Sequence, residues 1–315
     1  IDTTKEVVQK IKRSDLTAFH QKNFAPNNAY LVVVGDVAPA QVLESANKAF
    51  QTWAKRTVTP VQYAAPPARS AREIVLVDRP ESVQSVIYVG NLALPRTSAD
   101  YVPLLVANQV LGGSAASRLF MDLREKQSLT YGAYSSVAES QEPAPFRASA
   151  AVRNEVTPQA LKGFFDHLQR ISTEAPGEGE LADAKRLLVD SFPLQIETPG
   201  EIAGLVSDLR AYNFPDNYWD GFRSQIQGVA SPLALQAAKQ YIRPDSSLVV
   251  VVGRAAAVRE ALASYGAVKV IDTDGKLVVS TPAPATTSSP TAQPAASAAH
   301  PAVPETKPEP PKDAK

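Results

Sequence analysis

The strongest constraint on this chain is a repeat that it carries within itself. Residues 24–37, FAPNNAYLVVVGDV, align without gaps with residues 242–255, IRPDSSLVVVVGRA, with Pro26 against Pro244 and Gly35 against Gly253, an offset of 218. In both places a proline breaks a helix, an apolar β-branched run follows, and a glycine closes it. A repeat of that length indicates two copies of one domain. If the copies are equal in length and the second opens near Ala71, the first would open about 150 residues before Ile1. The chain therefore reads as the end of one copy followed by the whole of the next.

The organisation along the chain follows. Residues 1–55 are the C-terminal remnant of a first half, and residues 56–71, rich in Pro, Ala and Thr, are a linker. Residues 72–275 are the complete second half, and 276–315 are a tail. Within the remnant, Ser14 or Asp15 caps a helix carrying Leu16, Phe19 and Phe24, residues 30–34 predict a buried strand, and residues 39–53 form an amphipathic helix. The second half opens with strands 73–77 and 85–90 around a turn at Arg79-Pro80-Glu81, read as an antiparallel pair. Helix 98–111, a central stretch, strand 146–152 and a helix opened by Thr157-Pro158 come next. Four further helices, a strand over 247–252, a helix over 256–264 and a short strand over 268–271 complete it. Strands and helices alternate only in part. The fold class is therefore α+β, a two-layer sandwich of mainly antiparallel sheet and helices, in tandem duplicated half-domains with the first copy truncated. Nine of the chain's 26 prolines lie in the tail among Ala, Ser and Thr, a composition that cannot bury enough surface to offset ordering.

Composition removes several classes of function. Lys plus Arg and Asp plus Glu both number 32, so no net field draws nucleic acid or an anionic membrane. There is no cysteine, which excludes disulfides, thiol catalysis and cysteine-bound zinc, and no apolar run approaches the ~20 residues of a membrane span. The tail and the missing cysteines lean towards a periplasmic or secreted bacterial setting. The three histidines, His20, His167 and His300, have no His or Glu partner at metal-binding spacing, so they read as surface or packing residues and no metal site is expected in this chain. No G-x-S-x-G nucleophile elbow is present.

The chemistry concentrates in residues 111–136, LGGSAASRLFMDLREKQSLTYGAYSS. A helix stops at Gly112-Gly113, read as supplying a positive φ and a close turn, and a second short helix carries Leu119, Phe120 and Leu123. Arg124 ends that helix and Tyr131 begins a strand. A guanidinium and a phenol across so tight a turn can aim two kinds of donor at one acceptor such as a peptide carbonyl.

The double glycine, Ser117-Arg118-Leu119-Phe120, Leu123-Arg124-Glu125-Lys126 and Leu129-Thr130-Tyr131 together resemble the second half of the pitrilysin/insulysin family of zinc metallopeptidases, and the likeness extends over roughly residues 1–275. The family usually has glycine where this chain has Ser128. The resemblance implies that Arg124 and Tyr131 hydrogen-bond the substrate backbone opposite the zinc site, and that Gln84 is a further substrate contact. Gln84 reads equally as a polar residue on the open face of an edge strand. The resemblance also implies that zinc, held by an H-x-x-E-H motif, lies in a preceding N-terminal half or a partner chain. Helix residues Val106, Asn108 and Gln109 stand where an active copy would carry that motif. The implied partners are a peptide substrate and the zinc-bearing half or subunit, in a homo- or heterodimer. A non-catalytic partner or structural scaffold of the same family is the alternative.

Overall fold

The computed structural model describes residues 4–281, and the expected tail beyond Thr281, with His300, lies outside the described residues. Seven strands build one sheet in the order β3-β4-β2-β5-β1-β6-β7, where β1 is Glu73–Asp78, β2 Gln84–Leu92, β3 Thr130–Val137, β4 Pro145–Arg153, β5 Leu248–Gly253, β6 Val268–Ile271 and β7 Leu277–Thr281. Only β1 runs parallel to its neighbours, β5 and β6. All the other pairings are antiparallel, so the sheet is mainly antiparallel as expected.

β1 and β2 are not a direct pair. β5 inserts between them, parallel to β1 and antiparallel to β2, with Val250 level with both Val75 and Tyr88. The β-branched run LVVVVG favours a strand, and pairing on both its edges makes that strand internal to the sheet. Gln84 consequently opens an internal strand, between β4 and β5, and not an edge strand.

The helices after residue 72 are α4 (Tyr101–Leu111), α5 (Arg118–Phe120), α6 (Thr157–Thr173), α7 (Glu178–Ser191), α8 (Pro199–Ala211), α9 (Tyr218–Gly228), α10 (Ser231–Tyr241) and α11 (Ala255–Ala263). They follow three in the first segment, α1 (Lys5–Lys10), α2 (Arg13–Asn23) and α3 (Pro39–Phe50). Leu104, Leu161, Phe164, Leu168, Ala238 and Val258 bury one sheet face completely, against Ile74, Leu76, Ile87 and Val89. Side chains alternate along each strand. The opposite face therefore carries Tyr134, Ser149, Tyr88, Val250 and Val75, one row across five strands, with Phe120 of α5 against Tyr134 at its β3 edge.

The repeat is present in the backbone. Shifted by 218 residues, α2 coincides with α10, and the short 3-10 turn Pro26–Asn28 coincides with Pro244–Ser246. The counterpart of β5 is residues 30–35, yet these form no strand. Leu31 is 62% exposed where its equivalent Val249 is fully buried, and Val33 is 48% exposed where Val251 is fully buried. A strand exists only through its neighbours' hydrogen bonds. β5 has β1 and β2, whereas residues 30–35 pair with no strand among the described residues.

Leu277–Thr281, placed with the tail by composition, is instead an ordered part of the sheet. It forms a hairpin with β6, turned at Asp272–Lys276 with Gly275 left-handed at φ 81° and with Asp272 Oδ1 accepting from Asp274 N (2.9 Å) and Lys276 N (2.8 Å).

One buried cation joins α8 and α9 to the sheet. Arg96, just after β2, is 2% exposed and stacks on Tyr101 at 4.0 Å, with Phe214, Tyr218, Phe222, Trp219 and Tyr212 within 6.0 Å of its guanidinium carbon. Its Nη1 donates to the Tyr218 hydroxyl (2.9 Å), and its Nε lies 3.4 Å from Glu139. Burial, reinforced by Glu139, pushes the Tyr101 phenol far above its ordinary range. Tyr101 therefore remains a donor, to Glu139 Oε1 at 2.6 Å.

Candidate functional site

The site is built where α4 meets β3. Gly112, which caps α4, has an extended φ of −160°, so it does not supply the left-handed turn expected of it. What it supplies is proximity: a Cβ there would fall 2.5 Å from Ser135 N and Oγ, where Ser135 N donates to the Gly112 carbonyl (2.8 Å). Asn108 completes the junction, accepting from Ser135 Oγ at 2.8 Å and donating to the Ser135 carbonyl at 3.2 Å. Asn108 is thus a buried structural polar group, and Gln109 beside it is buried as well.

The helix begun by α5 widens into a π-helical turn, Met121–Lys126, which carries Arg124. Gln127 N reaches back to Asp122 O (3.0 Å), and Ser128 ends the turn in the left-handed region at φ 53°. Left-handed backbone costs an L-residue roughly 1–2 kcal/mol, and glycine avoids that cost. Ser128→Gly is therefore expected to raise stability by about 0.5–1 kcal/mol, after the added freedom of the unfolded chain is offset, as read by urea denaturation.

Tyr131 is aimed by a β-bulge. Thr130 pairs with Val152 and Ala133 with Ala150, so β3 holds one residue more than β4 between those rungs. Tyr131 shares its sequence parity with buried Ala133 and Ser135, but the extra residue turns it outward, and it is 88% exposed. The Thr130 hydroxyl fixes the bulge, donating to Ala151 O (2.7 Å) and accepting from Gly132 N (3.2 Å).

The structure brings Arg124 and Tyr131 together. The Arg124 guanidinium carbon lies 4.9 Å from the centre of the Tyr131 ring and 4.7 Å from that of Phe120, with Phe120 in turn 5.4 Å from Tyr134. Its one ionic neighbour among the described residues is Glu125, 3.4 Å from Nε. Each such stack contributes about 0.5–1 kcal/mol at an exposed site, enough to bias the guanidinium plane while leaving its outer N–H groups free. Phe120, which the sequence placed on this short helix without a role at the site, is the buried platform under the guanidinium.

Gln84 does not join the pair. It stands level with Arg153 of β4, near the Val152 rung that pairs with Thr130, so it shares their end of the sheet. With β4 between, the strands β2 and β3 are about 10 Å apart. His20 is a surface residue stacked on Phe24 at 4.9 Å, and His167 is buried in α6 with Nε2 2.8 Å from Asp122 Oδ2. Among the described residues no three His, Cys, Asp or Glu side chains come together as a metal site, so these residues do not fit zinc.

Over residues 10–188 the sequence matches the family described as the peptidase M16 inactive domain. The chain belongs to the peptidase M16 family. It is 26% identical over 204 residues to an uncharacterized zinc protease of Streptomyces coelicolor, covering 63% of this chain and 44% of that protein. It is 26% identical over 229 residues to the non-peptidase homolog YmxG of Helicobacter pylori, covering 71% and 51%. The chain thus spans about half the length of the curated relatives it matches. The crystal structure of a peptidase M16 inactive domain from Pseudomonas fluorescens superposes with a TM-score of 0.72 at 27% identity, over 79% of this chain and 60% of that one.

In this M16 chain a cavity of about 750 Å³ lies away from the Arg124–Tyr131 pair. It lies on the other side of the π turn, lined by Arg118, Asp122, His167, Arg170, Glu174 and Glu180. Most of its charges are engaged in pairs, Arg118 with Glu180, Arg170 with Glu174 and Asp122 with His167. The exposed pair, with free donors on a stacked guanidinium, is the better candidate site.

Proposed function

We propose that this chain is the half of an M16 zinc metalloendopeptidase that binds no metal, and that it forms one wall of the peptide chamber. The observation that carries the reading is the arrangement of Arg124 and Tyr131, held by stacking and by a bulge while their outer donors face open ground. A peptide carbonyl can accept from the guanidinium and the phenol together. As that carbonyl becomes tetrahedral its oxygen gains charge, and charge-assisted hydrogen bonds strengthen most at that stage. Gln84, about 10 Å along the same end of the sheet, would meet an extended peptide roughly three residues away.

Residues 1–55 are the closing segment of a first half, residues 56–71 a linker and residues 72–281 the second half. The exposure of Leu31 and Val33 beside their buried equivalents supports this: the segment has the pattern of β5 and lacks the neighbours of β5. Metal chemistry then belongs to that first half or to a zinc-bearing partner chain, in a homo- or heterodimer. A second reading, a non-catalytic partner or scaffold, is favoured by the relative named a non-peptidase homolog.

A photoreactive peptide tests the two readings. In the complete enzyme, meaning this chain with its metal-bearing half, peptide mapping is expected to place the cross-link within residues 118–134 or at Gln84. Labelling confined to the helix-covered side, or none competed by substrate, would leave the scaffold reading.

A further inference from the structure

We propose that His167 of α6 is a positioning residue that sets the face on which Arg124 is presented, acting through Asp122. The inference rests on the reading of Arg124 as a peptide contact. The helical segment 118–126 is tied at its start, where Arg118 donates from Nε to Glu180 Oε1 (2.9 Å) and from Nη2 to Glu180 Oε2 (2.7 Å). Buried Leu119 and Phe120 seat its first turn, and the direction of the following π turn is left to contacts further along.

α6 supplies those contacts with two residues one helical turn apart, Gly163 and His167, which share a face. A Cβ on Gly163 would fall 2.6 Å from Leu123 Cδ2, so the fully buried Leu123 seats in the notch that glycine leaves. Beside it, Asp122 Oδ2 lies 2.8 Å from His167 Nε2. Asp122 and Leu123 immediately precede Arg124, so fixing both fixes the direction of the next side chain in the π turn. Single-turn π segments recur at functional sites because they re-aim one residue, and this one is clamped at the residues before the one it re-aims.

The imidazole's own bonding points the same way. Partial burial alone would raise the Asp122 carboxyl, but the bonds from His167 and Gln127 outweigh it and hold the group below its ordinary range. A carboxylate only accepts, so His167 Nε2 carries the hydrogen, and Nδ1 is shielded from water and without a partner among the described residues. An unpartnered buried polar atom is destabilising, and an apolar side chain would avoid it. What the imidazole supplies and an apolar side chain cannot is the bond to Asp122. The other charged groups of α6 near the cavity, Lys162, Asp166 and Arg170, engage one another or Glu174 at the surface. That leaves the His167–Asp122 contact as the part-buried polar link from α6 to the turn.

Backbone hydrogen exchange and a mutant cycle test this in the complete enzyme. In His167→Ala the amides of residues 127–129 are expected to exchange about tenfold to a hundredfold faster, while His167→Gln, whose amide can still donate to Asp122, stays near the parent. Peptide turnover is expected to fall about tenfold in His167→Ala with bound zinc unchanged, and to fall no further when the same change is made in an Arg124→Ala background. Unchanged exchange in His167→Ala would overturn the clamp whatever the peptide does. An equal loss of turnover in the Arg124→Ala background would overturn its action through Arg124. If Arg124→Ala alone left turnover intact, the peptide-contact reading would fail, and the exchange result would still decide the clamp.

Discussion

Replacing Arg124 by alanine is expected to lower peptide turnover by the complete enzyme about 10²- to 10³-fold, the loss typical of a removed donor to a developing oxyanion. The effect should fall on kcat more than on KM, because a charged donor gains most from the carbonyl oxygen as that oxygen acquires charge. Tyr131→Phe keeps the ring against the guanidinium and removes only the hydroxyl, so its loss should be smaller, roughly tenfold to a hundredfold. Arg124→Lys restores the charge but not the planar, stacked fork between Phe120 and Tyr131, and it should recover only a minor part of the activity. Steady-state kinetics on one peptide substrate measures all three. Fold stability should barely change, since Tyr131 is exposed and Arg124 is bound only to Glu125 among the described residues.

The largest effect on stability is expected at Arg96. Arg96→Ala should cost about 3–5 kcal/mol, the range for truncating a large buried side chain to alanine. Glu139 contributes little of this, because the carboxylate is half-exposed and the contact is long. The main losses are the stacking of the guanidinium on Tyr101 and its aromatic neighbours, the bond to Tyr218, and the hollow left between α4 and α9. For a domain of this size that is a fall in melting temperature of about 6–20 °C, measurable by calorimetry. Arg96→Lys should lie between the two, retaining a charge but neither the stack nor the reach to the Tyr218 hydroxyl.

Some elements were legible from local chemistry. Thr157-Pro158, Ser231-Pro232 and Thr198-Pro199 each open a helix, the last with a capping box in which Glu201 N reaches Thr198 Oγ1 (3.3 Å) and Thr198 N reaches Glu201 (2.9 Å). The 218-residue offset returned in the element boundaries, with α2 matching α10 and the two 3-10 turns matching each other. The juxtaposition of Arg124 and Tyr131 was likewise readable, because it depends on one short turn.

What could not be read locally depended on distant partners. The placing of β5 between β1 and β2 is a contact across about 170 residues of chain, and nothing near Arg79-Pro80 signals it. Residues 30–34 have the sequence of a strand and none of the neighbours that make one. Tyr131 faces outward through a bulge that inverts its parity, and the bond from His167 to Asp122 joins residues 45 apart. The β7 hairpin did leave a signal, the Asp274-Gly275 pair before an apolar run, which the composition of the tail obscured.

The central claim is that this chain handles substrate without holding the metal. The most direct test is zinc content and turnover measured side by side on the complete enzyme carrying Arg124→Ala and Tyr131→Phe together. The expected result is a full complement of zinc, turnover reduced about 10²- to 10³-fold, and a combined loss well short of the product of the single losses, because both donors serve one acceptor. Undiminished turnover, or a loss that tracks departing zinc, would contradict the account.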